Sequence, residues 1–69
     1  MIARVAVSAA LYAIDKPYSY RVPEGMQVQP GLRVLVPFGR GNRRSEAVVL
    51  ALQDTAQRDL KVIERALDD

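Results

Sequence analysis

The chain has 69 residues, a net charge of +2 and an apolar content of 49%, with neither Cys nor His. A single domain, 1–69, is expected, with a small core, because only about 60% of the unfolded surface is buried at this size. Without thiols or imidazoles, a disulfide framework, a Ser–His or Cys–His nucleophile and a structural zinc site are excluded.

No apolar run approaches the ~20 residues that span a bilayer, and the start lacks the basic-then-apolar order of a secretory signal. The expectation is a cytoplasmic, non-membrane protein. Charge is unevenly spread: residues 1–44 hold seven Lys or Arg against two acids, whereas 45–69 hold three against six. A basic half facing an acidic one suits a partner that is a polyanion, drawn in over roughly the ~8 Å Debye length of physiological salt. A solvated surface would show the same composition.

In chain order, Ile2 to Ala9 alternates as a first strand, with Val5 and Val7 on one face and Arg4 on the other. Residues 10–17 lose the alternation and end in Asp15-Lys16-Pro17, a loop. Tyr18 to Val22 restores it, with Tyr18, Tyr20 and Val22 on one side, and Pro23-Glu24-Gly25 supplies turn chemistry. Met26 to Gln29 is a short extended candidate. Pro30-Gly31 is a turn pair, after which Leu32, Val34 and Val36 alternate with Arg33 and Leu35 until Pro37, which is expected to end the pairing.

Gly39-Arg40-Gly41-Asn42-Arg43-Arg44 then forms a basic loop with three arginines in five residues and no acid. Ser45 to Leu52 is an apolar run that fits a buried strand. Residues 53–60 are polar, a loop or one helical turn capped by Asp54 or Thr55, and 61–67 leans toward helix on propensity. Five to six short strands between Pro and Gly turns give an all-β, barrel-like, OB-like domain.

No catalytic constellation is present: there is no carboxylate cluster on a recognisable scaffold, and Gly39-Arg40-Gly41 is a lone Gly-x-Gly without a following helix. The domain is expected to be non-catalytic and to need no cofactor. Tyr18, Tyr20 and Phe38 can stack on unpaired bases, an interaction of ~1–3 kcal/mol per base. At least one of the two tyrosines should instead belong to the core, and Phe38 can plug one end of the barrel. Arg40, Arg43 and Arg44 form a field suited to phosphate.

Two blocks carry a resemblance: Tyr18-Ser19-Tyr20-Arg21-Val22-Pro23-Glu24-Gly25-Met26, and Pro30-Gly31-x-Arg33-Val34-x-Val36-Pro37-Phe38-Gly39-Arg40. They resemble the amino-terminal domain of primosomal protein N′, the replication-restart helicase PriA, whose pattern is aromatic-Asp-Tyr-x-x-Pro followed by Pro-Gly-x-Arg-Val-x-Val-Pro-Phe-Gly. Val48-Val49 and Leu60-Lys61-x-Ile63-x-x-x-Leu67-Asp68 extend the likeness over nearly the whole chain.

The resemblance implies a 3′-DNA-binding domain that receives the 3′ end of the leading strand at stalled or abandoned forks, isolated here from a larger ATP-dependent helicase chain. It implies as partners DNA, the remaining helicase domains and other primosome proteins. The terminal-nucleotide pocket of that family falls on Tyr18, Ser19, Gly39 and Lys61. Ser19 replaces an Asp, exchanging a charged acceptor for a neutral group that both donates and accepts. Glu46 stands where many relatives have Gly, which leaves that strand's register open. Competing readings are a small barrel that docks on the helicase body and an RNA-associated barrel.

Overall fold

The computed structural model describes residues 1–8, 17–55 and 59–67. Ala9, the loop expected over 10–17 apart from Pro17, residues 56–58 of the polar segment, and Asp68 lie outside the described residues. The described residues form five strands: β1 (Ile2–Val7), β2 (Tyr18–Arg21), β3 (Arg33–Phe38), β4 (Arg43–Gln53) and β5 (Arg65–Leu67). They form one sheet in the order β2-β1-β4-β3-β5, each neighbouring pair antiparallel. The all-β, barrel-like architecture is thus present, and the described residues contain no helix.

Alternation places Ala3, Val5, Val7, Tyr20, Val34, Val36, Ala47 and Val49 in one buried core, with Ile63 added from the segment before β5. Of the two tyrosines, Tyr20 is the core residue and Tyr18 is half-buried. β4 is not the fully buried strand its apolar run suggested. Between Arg4 and Val5 the β1–β4 register shifts, so that Arg4 faces Ala51 and Val5 faces Val49, and Leu50 is the extra residue of a bulge. The bulge explains why Ala51, which alternation from Val49 would turn inward, is exposed and why Leu52, out of phase with Val49, packs against the core. Val48 and Leu50, the latter 51% exposed, face outward by simple alternation with Ala47 and Val49. The register at Glu46 is settled as well: it lies opposite Leu35, and its carboxylate is 3.7 Å from Arg33.

Two other expectations are corrected. Pro37 does not end the pairing, because Pro37 still faces Arg44 and Phe38 faces Arg43. Alternate residues of a strand direct their backbone groups to the same edge; Leu35 accepts from the Glu64 N–H on the side away from β4, so the missing Pro37 N–H also lies on that side, beyond the end of β5. Residues 61–67 are extended, not helical. The Arg21 N–H donates to the Lys61 carbonyl (2.8 Å), the Ile63 N–H to the Arg21 carbonyl (3.1 Å) and the Glu64 N–H to the Leu35 carbonyl (2.8 Å), before β5 pairs with β3. With Arg21 and Val62 in a parallel bridge, this segment ties β2 to β3 and closes the sheet toward a barrel. Two open sheet edges offering unpaired backbone groups outweigh a weak helical propensity.

Turn residues sit where φ requires them. At Pro30-Gly31 the Leu32 N–H reaches the Gln29 carbonyl (3.1 Å) and Gly31 has φ +93°, the positive value that favours Gly at the third position of such a turn.

Candidate nucleic-acid interface

The β3–β4 tip is a four-residue loop, Gly39 to Asn42, closed by the Asn42 N–H on the Gly39 carbonyl at 3.1 Å. Gly39 has φ +76° and Asn42 φ +50°, left-handed backbone that Gly and Asn tolerate best. A Cβ at Gly39 would meet nothing within 4 Å, so Gly is needed there for conformation, and the space beside its backbone is open.

Across from the tip, β2 and the segment preceding β5 are stitched together at Arg21, which fixes Lys61 beside Ser19 and Tyr20. The Lys61 Nζ donates to the Gly39 carbonyl at 2.8 Å. Between these parts lies a concavity of about 350 Å³, lined by Tyr18, Ser19 and Tyr20 from β2, by Phe38 and Gly39 from the tip, and by Asp59, Leu60 and Lys61 from the closing segment. Tyr18 and Phe38 meet edge to face in its wall, with centroids 5.1 Å apart and planes at 86°. The Tyr20 hydroxyl donates to the Pro37 carbonyl at 2.7 Å, bracing β2 against β3 beneath the concavity. Burial, with a smaller contribution from Tyr18, raises the Tyr20 phenol above its ordinary pKa.

The four residues singled out for the pocket, Tyr18, Ser19, Gly39 and Lys61, therefore line one concavity although they are spread over more than half of the chain. The arginines divide. Arg40 is in the tip loop, whereas Arg43 and Arg44 begin β4 rather than belonging to the loop. Arg44 is tied to Glu64 at 3.0 Å, an acid from a distant segment that sequence proximity did not reveal. Arg40 and Arg43 are exposed and make no ion pair among the described residues. Asp59, Leu60 and the Phe38 wall contact were not anticipated as site features; for Asp59 the available signal was its place two residues before Lys61.

A larger groove of about 460 Å³ runs between Met1 and residues 26–32, but among the described residues it presents thioether, amide and aliphatic side chains and no charged ones. The smaller concavity is where the chemistry converges.

A family model describing the 3′DNA-binding domain (3′BD) of PriA matches residues 4–69. The chain belongs to the PriA 3′DNA-binding-domain family. It is also 32% identical over 71 residues to the replication restart protein PriA of Bacillus subtilis (strain 168), an alignment that covers 96% of this chain and 9% of that protein. The chain thus spans a small fraction of the length of that relative. For a PriA 3′DNA-binding domain, DNA is the partner the family description names. The tip carries Arg40, with Arg43 at the adjoining start of β4, and the concavity brings Ser19, Asp59 and Lys61 together.

Proposed function

We propose that the domain holds the 3′-terminal nucleotide of a DNA strand in the concavity between β2, the β3–β4 tip and Lys61, as the end-recognising module of a longer replication-restart helicase. The observation that carries this reading is the Lys61–Gly39 hydrogen bond. It brings a cation from the last quarter of the chain onto the tip, beside an open backbone at Gly39 and next to the Tyr18–Phe38 pair.

Each part has a role in the mechanism. The terminal base packs on the exposed part of Tyr18, whose ring is held in place by Phe38. The Ser19 hydroxyl, able to donate and accept, bonds to the base edge or sugar. Ser19 shares a strand edge with Arg21, whose N–H and C=O both face the closing segment, so the Ser19 backbone groups face the same way and are available to a ligand. Lys61 keeps N–H donors beyond the one given to Gly39 and lies at the terminal sugar-phosphate. Arg40 and Arg43 hold the preceding phosphates, while Arg44 is partly neutralised by Glu64. Nothing in this scheme makes or breaks a covalent bond; catalysis is assigned to the rest of the helicase.

The test is a titration of the chain against oligonucleotides labelled at the 5′ end and differing only at the 3′ end, with RNA of matched sequence alongside. Hydroxyl-terminated single-stranded DNA should bind more tightly than the same strand capped with a 3′-phosphate, and RNA should offer no advantage. Equal affinity for free and capped ends would reject end recognition. A second reading, docking on the helicase body, is favoured by Val48 and Leu50, which stand 38% and 51% exposed on β4; it requires that no nucleic acid bind.

A further inference from the structure

We infer that Asp59 makes the concavity selective for a free hydroxyl over a phosphate at the strand terminus, a refinement that rests on the end-recognition reading above. Among the described residues, two charged side chains of opposite sign line the concavity, Lys61 and Asp59. Arg40 and Arg43, which make no ion pair among the described residues, lie outside it on the tip and the start of β4. The surface therefore separates two tasks: a positive rim takes the anionic backbone, and a pocket that offers a carboxylate as well as an ammonium takes a neutral group.

Lys61 alone would favour the opposite outcome. An ammonium beside a neutral backbone edge is a phosphate site, because it donates only, and a phosphate monoester accepts only. Asp59, two residues before Lys61 on the same segment, supplies an anionic acceptor. A sugar hydroxyl can donate to that carboxylate while accepting from Lys61 or from the Ser19 N–H. A phosphate monoester, carrying about −1.5 to −2 at neutral pH, can satisfy the donors but is repelled by the carboxylate. Asp59 is exposed and has no hydrogen bond or ion pair to another described residue. Unit charges a few ångströms apart near a surface interact strongly enough to change affinity by about tenfold or more.

The experiment measures the affinity ratio between 3′-hydroxyl and 3′-phosphate oligonucleotides for the wild-type chain, Asp59→Asn and Asp54→Asn, with thermal melts to establish that each is folded. Asp54 is exposed and is not among the residues lining the concavity, so its variant carries the same change of net charge at a remote point. D59N should bind the phosphate-ended strand about tenfold more tightly while the hydroxyl-ended strand changes by less than about threefold, and D54N should leave the ratio unaltered. A wild-type ratio that D59N does not change would overturn the role of Asp59 while leaving end recognition standing. Equal movement in D54N would reduce the effect to net charge and overturn it also. A wild-type ratio of one would remove end recognition itself, and this inference with it.

Discussion

The division among the arginines yields a quantitative expectation for salt. Each phosphate neutralised on a single strand contributes a slope of about −0.7 to log affinity against log salt. Arg40, Arg43 and Lys61 are without an acidic partner among the described residues, whereas Arg44 is held by Glu64 at 3.0 Å. Three engaged cations give a slope of about −2, an affinity loss of about 18-fold between 50 and 200 mM monovalent salt. Arg40→Ala with Arg43→Ala should flatten the slope to about −0.7, leaving a loss of only about threefold. Arg44→Ala should leave it close to −2, while Glu64→Gln, which frees Arg44, should steepen it toward about −2.8. Fluorescence anisotropy with a 5′-labelled strand at several salt concentrations reads all of these directly. If R44A flattens the slope as much as R40A does, or if the wild-type slope is near zero, the assignment of phosphate contacts from ion-pair geometry is refuted.

Three further outcomes concern the scaffold. Ile63→Ala should cost about 2–5 kcal/mol, because Ile63 is 1% exposed and anchors the closing segment in the core; against the roughly 3–5 kcal/mol available to a domain of this size, urea melts should show it largely unfolded, whereas Val48→Ala on the outer face should stay within about 0.5 kcal/mol of wild type. Gly39→Ala should lower stability by about 1–2 kcal/mol through the left-handed φ of +76°, and Gly39→Asn by less, by thermal melt. Tyr20→Phe leaves the Pro37 carbonyl without its 2.7 Å donor and should cost about 1 kcal/mol. Because the folded-state pKa of Tyr20 is raised, its contribution is complete below the unfolded value of about 10 and is lost as pH rises through the folded one. Melts above pH 10 should therefore fall less steeply for Y20F than for wild type, and parallel curves would exclude Tyr20 as the alkaline-sensitive group.

What could be read from sequence was whatever depends on neighbours along the chain. Alternation at Val5 and Val7, at Tyr18 and Tyr20, and at Val34 and Val36 marked the strands and their inward faces, since a strand's two-residue period needs no tertiary information. Pro30-Gly31 announced its turn, and the two motif blocks announced the family. Three-dimensional packing decided the rest. The segment 61–67 is extended because two sheet edges need partners, a demand that local propensity does not contain. Leu52 turns inward and Ala51 outward because β4 must absorb a one-residue shift against β1. Arg44 is spoken for because barrel closure delivers Glu64 to it, and Asp59 reaches the concavity by the same closure. Pairing between distant segments is set by which backbone groups remain unsatisfied once the local strands have formed, and that cannot be read from either segment alone.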